Sequence, residues 1–501
     1  MKKSHRILSM ILAVLLSLSS FALLAGCDNS SGNTEDTTNA ASPNGSAASS
    51  ESEVETEAAF KEVHPVIEKK NYGTEFYLHI LPDVNPVKCY WVKESENDML
   101  TEAVYERQSK VYEYLGVEVI GQATGNYSQY IEPFKTAVKN KDGSVDTLIS
   151  HVHTGVNGLI AENYLTDFYD VPGVMIDGEH WNQEFMENIS VNDQMYLGFS
   201  DLNILYTYVV AYNKDMLEKY DDALDESVYQ MVDNYRWTLD RMISIANLAY
   251  IDAANDGKTV DDQFGIVGLH WVPLCGFLHS SNINLVEIGD DGQYEIVVYN
   301  DINKSKTSDL VDKIINLTNS NAAWFWPNSS TETISLTKGT ALMSLSPTTS
   351  LSGYVEYDIS FGVLPYPMYD EAQKDVGYRS LQWGGYICIP AYVEDIEMVG
   401  ETVEMMTFFS DAVQDVYYQK LLGKQVADSP DDRRMLELIW ESIVSDFGQT
   451  YHNVFEKGGV LYLIPTVTSP TAAKNLASYM ASIDKTASKF LKAFLTKVKN
   501  Q

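Results

Sequence analysis

The sequence predicts an α/β fold of mostly parallel sheets flanked by helices, with a helix-rich C-terminal part. Three observations predict it. Strand and helix patterns alternate between residues 75 and 150, the order that parallel strands with crossover helices produce. The chain has 501 residues, two or three domains' worth rather than one small core. Its composition, 45% hydrophobic and 21% charged, is that of a globular chain and not a disordered one.

Charge narrows the partners. Asp and Glu number 70 against 35 Lys and Arg, a formal charge of −35. So acidic a surface repels phosphate backbones, which argues against nucleic acid and against adhesion of the body to anionic lipid. Four Cys are too few for a disulfide framework.

In chain order the first segment stands outside the fold. Lys2, Lys3 and Arg6 precede an apolar run over 7–24, and Leu24-Ala25-Gly26 lead into Cys27. A basic start, an apolar run and small residues before a cut read as a secretory signal over 1–26. The run is short for a membrane span and has the wrong exit. Its end resembles the lipobox of bacterial lipoproteins, which implies that Cys27 becomes the lipidated new N-terminus. Residues 28–59 are rich in Ser, Thr, Asn, Ala, Gly and Glu, with Val54 their only branched aliphatic. Such a stretch cannot bury enough surface to order itself. It reads as a tether that anchors a body over 60–501 to a membrane without spanning it.

The body then turns regular. Residues 75–81 predict a strand. The spacing of Leu100, Val104, Val111, Tyr114 and Leu115 predicts a helix over 99–115, which Gly116 ends. A strand start over 117–120, a helix over 127–138 and a strand over 145–150 follow. In open α/β sheets ligands sit beyond the carboxyl ends of the strands, so chemistry is expected in 82–86, 123–127 and 151–155. Further on, 206–212 predicts a strand and 214–220 a helix. Thr238 caps a helix over 239–254. A hairpin over 285–299 surrounds Gly289-Asp290-Asp291-Gly292, and 309–319 is helical. Short apolar strands are expected over 340–345, 361–364 and 386–389. After Pro390 the pattern is helical over 394–422, 430–447 and 471–499. Ser429-Pro430-Asp431-Asp432 supplies a cap, a first-turn proline and acids on the helix dipole.

Several stretches in this order carry a resemblance: Tyr212-Asn213-Lys214-Asp215-Met216 after a strand, Trp237-Thr238-Leu239-Asp240 opening a helix, and Asp262-Gln263-Phe264-Gly265 before a short strand. Lys338-Gly339-Thr340-Ala341-Leu342-Met343 and Gly362-Val363-Leu364-Pro365-Tyr366-Pro367 follow. With the lipobox and tether, the chain resembles the carbohydrate-type extracellular solute-binding proteins of ABC importers. That resemblance implies a two-lobe periplasmic-binding-protein-like fold of class II type. The first lobe would take about 72–205 plus a later return segment, and the second about 213–360 plus the C-terminal helices.

Aromatic side chains are the most informative for binding. Tyr numbers 32 and Trp eight, and both join an apolar face to a polar handle. Trp271, Trp324, Trp326 and Trp383 fall in predicted loops beside Gly, Pro or Asn. Each is a candidate for stacking on a sugar ring, and core packing is the alternative for each. Gly384 and Gly385, between Trp383 and the candidate Tyr386, would let a backbone approach a ligand. His151 and His153 end the third strand, where alternation would put both rings on one face. Three readings stand for them: hydrogen bonding to a ligand, a shared metal, or a structural pair. Asp201 is either a ligand-binding carboxylate or a turn residue. Cys89, Cys275 and Cys388 are either buried thiols or include one disulfide.

No G-x-S-x-G, H-E-x-x-H or P-loop occurs. The expectation is therefore no enzyme and no cofactor or metal, but a monomeric, lipid-anchored receptor on the extracytoplasmic membrane face. It would close two lobes on a sugar or oligosaccharide and present it to ABC permease subunits. A glycan-hydrolysing surface lipoprotein, or a binder of peptide or another solute, are the alternatives.

Overall fold

The computed structural model describes residues 63–82, 86–123, 127–289, 291–326, 335–357, 359–422, 429–455, 459–469 and 475–500. The signal, Cys27 and the tether lie outside the described residues, as do parts of the loops 82–86 and 123–127. In chain order the strands are β1 (Thr74–Ile80), β2 (Val117–Gln122), β3 (Thr147–His151), β4 (Tyr208–Asn213), β5 (Phe264–Leu269), β6 (Val286–Ile288), β7 (Tyr294–Ile296), β8 (Ala323–Trp326), β9 (Ala341–Pro347), β10 (Phe361–Leu364), β11 (Ser380–Leu381), β12 (Gly384–Cys388) and β13 (Ile443–Val444).

Two mixed sheets organise two lobes. The first has the order β12-β3-β1-β2, with β1 parallel to β2 and β3, and β12 antiparallel to β3. The second has the order β10-β4-β9-β5-β8. Its β5 runs parallel to β8 and β9, while β4 opposes both β9 and β10. Two small ribbons, β6-β7 and β11-β13, complete the pairing among the described residues.

Local chemistry explains the elements that position the site. In β1, Phe76, Leu78 and Ile80 are fully buried while Tyr77 and His79 are only partly so. Each buried side chain contributes roughly 1.5–3 kcal/mol relative to exposure. In β3 all five residues are buried, as a strand covered on both faces must be. The helix Met99–Leu115 has the bounds its periodicity predicts. Asp98 caps it by accepting from the Leu100 N–H, and Gly116 ends it at φ 63°, a conformation that costs glycine nothing.

Other expectations are corrected. The helix after Thr238 stops at Ala249, because Ile251 exchanges two backbone hydrogen bonds of 3.0 Å with Gln263. The helix expected over 394–422 is two, Ile396–Phe408 and Asp411–Leu422. At the break the Ser410 hydroxyl donates to the Met406 carbonyl and accepts from the buried Arg107 guanidinium. The helix from Pro430 ends at Glu441, since β13 then pairs with β11. Trp324 and Trp326, expected in loops, lie on β8 and pair in register with β5. Cys275 and Cys388 are buried free thiols and Cys89 is also buried. Burial pushes the Cys388 thiol up to about 12.

The lobes are joined by several passages of the chain. Segments 205–207 and 381–383 run side by side: Trp383 N–H donates to the Tyr206 carbonyl at 2.9 Å, and the Thr207 hydroxyl donates to the Leu381 carbonyl at 2.8 Å. The Gln382 amide seals them by donating to the carbonyls of Ile204 and Gly384. The C-terminal helices, expected with the second lobe, divide between both. Ile396–Phe408 and Asp411–Leu422 pack on Met99–Leu115, and Leu476–Lys499 packs on Val156–Ala161, all on the first lobe. Pro430–Glu441 packs on β10 and Leu463–Val467 on Val272–Ser280, on the second. No described helix is long and apolar enough to cross a membrane.

Candidate functional site

The site grows from the carboxyl end of β3. The strand stops at His151, and Val152–Thr154 form a 3₁₀ turn. The Thr154 hydroxyl donates to the His151 carbonyl at 2.6 Å, and the His153 N–H donates to His151 Nδ1 at 3.2 Å. This turn brings the two imidazoles to 5.0 Å, so a turn and not strand alternation places them together. With Nδ1 accepting, His151 carries its proton on Nε2. That nitrogen is buried and has no hydrogen-bond partner among the described residues.

Around this pair the lobe-joining segments add rings. Tyr206 lies 5.6 Å from His151. Trp383 lies 6.1 Å from His153 and meets Tyr208 edge-on at 6.0 Å. His452, from the C-terminal part, sits 5.3 Å from His153 and 6.0 Å from Tyr462. Tyr462 stacks on Trp271 at 4.6 Å and 19°. Trp271 follows the carboxyl end of β5 in the second sheet. One continuous run of rings therefore leads from the first sheet, across the joining segments, to the second.

The run is uncharged at neutral pH. Burial, then the neighbouring His153 and His452, holds the His151 imidazole well below the usual histidine range. Burial lowers His153. Burial, then His153, brings His452 down to about 4 although its Nδ1 faces the Gln449 carbonyl at 3.1 Å. Burial also raises the Tyr206 and Tyr208 hydroxyls. Neutral rings with polar edges can stack on apolar C–H faces and exchange hydrogen bonds with hydroxyls.

The predicted residues separate into two groups. His151, His153, Trp383 and Trp271 join the run, with Trp383 2% exposed and Trp271 48% exposed. Trp326 lies at the carboxyl end of β8, where its carbonyl accepts from His270 N–H and its buried indole N–H has no partner among the described residues. Trp324 meets Phe264 edge-on at 5.3 Å, and it and Trp326 both pack against a separate small cluster of Phe264, Val267 and Ala341. Asp201 is drawn to His180, 2.9 Å away. Tyr386 is fully buried, with its hydroxyl 3.1 Å from that of Thr450, so it has no surface to offer a ligand. Gly384 and Gly385 admit protein and not ligand: a Cβ at the first would strike the His151 ring, and at the second the Tyr90 hydroxyl.

Tyr206, Tyr208, His452 and Tyr462 were not singled out by sequence. Tyr206-x-Tyr208 at the start of a predicted strand was a readable signal. His452 and Tyr462 had none, being about 300 residues from His153 along the chain. Two hollows lie away from the run, one of about 470 Å³ beside Arg379 and one of about 970 Å³ between the β6-β7 ribbon and the last helix. The run of rings lies where the segments 205–207 and 381–383 pass between the two sheets.

Comparison with solved structures gives the same architecture at low identity. The maltose-binding periplasmic protein MalE from Listeria monocytogenes, in complex with maltose, aligns with TM-score 0.56 and 13% identity over 84% of this chain and 98% of that one. The GacH receptor of Streptomyces glaucescens, studied with acarbose, aligns with TM-score 0.51 and 14% identity over 85% and 98%. An ABC substrate-binding protein from Listeria monocytogenes in complex with cycloalternan aligns with TM-score 0.50 and 13% identity over 84% and 98%. No curated protein sequence matches. A family profile described as "Bacterial extracellular solute-binding protein" matches residues 110–420, more than half of the chain. The chain thus belongs to the bacterial extracellular solute-binding protein family, whose members bind solutes and are not enzymes.

Proposed function

We propose that this chain is the lipid-anchored, extracytoplasmic receptor of an ABC importer, and that it closes two lobes on a sugar or oligosaccharide. The observation that carries the reading is the half-exposed Trp271, stacked on Tyr462 at the outer end of a neutral run of rings that continues through His452 and His153 to the buried Trp383 and His151. A sugar presents apolar ring faces and polar edges, and such a floor matches both without a net charge. The solved relatives' ligands, maltose, acarbose and cycloalternan, support the same class. Hinge closure would bury the sugar and present a closed shape to the permease. Residues 1–26 would be the signal, 27–59 the lipidated tether, and the rest the two-lobed body.

Titration calorimetry of the protein against maltose-type linear and cyclic oligosaccharides tests the reading. Saturable binding of one oligosaccharide per chain, with a raised melting temperature, is expected; occupancy at a hundred times Kd adds about 2.7 kcal/mol. A screen in which only peptides or other non-sugar solutes bind would replace the sugar. Turnover of a bound glycan would replace the receptor.

A further inference from the structure

We infer that His180, Asp201 and Asp411 form a site for one divalent transition-metal ion of the zinc class. One ligand atom from each of the three lies within 4.8 Å of the other two. His180 Nδ1 is 2.9 Å from Asp201 Oδ2 and 3.8 Å from Asp411 Oδ1. Ligand atoms bound to one ion at about 2.0–2.2 Å stand roughly 3–3.5 Å apart in a tetrahedral shell, so small side-chain movements suffice. The second nitrogen also faces a carboxylate. His180 Nε2 faces Glu179 Oε1 at 3.4 Å. A carboxylate on the far nitrogen is the usual outer partner of a metal-bound imidazole, because it fixes the tautomer and raises the basicity of the ligand.

The framework is built from three separate elements. The Asp201 N–H donates to the His180 carbonyl at 2.9 Å, which locks two ligands against each other. The Gln414 side chain donates to the carbonyls of Asp201 and Asn203 and ties that turn to the helix that Asp411 begins. The His180 ring is braced edge-on by Phe408 at 5.4 Å. An imidazole with two carboxylates favours zinc, manganese or nickel over calcium, which prefers six to eight oxygens. The ion would staple the turn 200–203, just before the lobe-joining segment at Tyr206, to the break between Phe408 and Asp411. Its role is structural and independent of the sugar reading.

The site is tested on the full chain after exhaustive chelation, with Zn²⁺ as ligand and Co²⁺ as spectroscopic probe. One equivalent of Zn²⁺ should bind and raise the melting temperature, and Co²⁺ should give visible d–d absorption. Asp411→Asn, at an exposed position that leaves the fold intact, should weaken Zn²⁺ at least about tenfold. His180→Ala should abolish the Co²⁺ spectrum. Two outcomes overturn the proposal: no stoichiometric Zn²⁺ in the chelated and reloaded wild type, or equal binding by wild type and Asp411→Asn. In either case the cluster is a metal-free imidazole held by carboxylates.

Discussion

At the scale of single residues, exposure separates two tryptophans that look alike in sequence. Trp271 is half exposed and rests on Tyr462, so its outer face is free to stack. Trp271→Ala should weaken oligosaccharide binding by roughly 1–3 kcal/mol and leave melting nearly unchanged. Trp383 is buried between His153 and Tyr208. Trp383→Ala should cost roughly 3–5 kcal/mol of stability, because the cavity it leaves cannot fully collapse. Calorimetry and thermal melts on the pair decide between them; unchanged affinity in Trp271→Ala removes that residue from the site. Cys27 calls for a different readout. Cys27→Ser should abolish incorporation of labelled fatty acid, since the thiol is the acceptor that the lipobox-like Leu24-Ala25-Gly26-Cys27 implies. Undiminished label in the variant refutes the anchor.

At the scale of elements, the helix Pro430–Glu441 shows how one carboxylate holds a segment. Asp432 is fully buried, and accepts from the Lys214 ammonium and, at 2.5 Å, from the Tyr229 hydroxyl. Lys214 follows β4, so this contact fastens the helix to the second sheet. Removing one partner of a buried pair leaves the other uncompensated. Asp432→Ala should therefore lower unfolding free energy by roughly 3–5 kcal/mol in denaturant titrations. Its neighbour Asp431 pairs with an exposed Arg434 at 2.7 Å. Asp431→Ala should change stability by less than about 1 kcal/mol. Equal losses in the two variants would show that burial of the pair is not what holds the helix.

At the scale of the whole molecule, the lobe junction couples stability to pH. His151, His153 and His452 all titrate below the ordinary histidine value of 6.5, His452 at about 4. In that interval the unfolded chain binds more protons than the folded one. The stabilisation is therefore complete above about pH 6.5 and is lost as pH falls through about 4. For His452 alone it is on the order of 3 kcal/mol. Asp146 acts in the opposite sense, since burial pushes its carboxyl up to about 6. Melting temperature should fall steeply from pH 6.5 to 4, and oligosaccharide affinity with it. His452→Gln should flatten the profile; an unchanged slope in that variant would assign the acid sensitivity to other groups.

What the sequence determined by itself was local and periodic. Alternating Phe76, Leu78 and Ile80 specified β1, and the apolar spacing with Gly116 specified the helix Met99–Leu115 to the residue. The order of strands and helices specified an α/β class, because a crossover helix between parallel strands is a chain-local requirement. Of the site, His151, His153, Trp383 and Trp271 were legible as residues but not as a group. Only the tertiary structure joined them, through His452 and Tyr462, which no spacing along the chain connects to His153. The same holds for Asp201, read as either a ligand-binding carboxylate or a turn residue and found in a turn, against His180 and Asp411. A binding floor or a metal shell is a set of distances between side chains on different elements. Those distances follow from packing and from the passages between lobes, which periodicity does not encode.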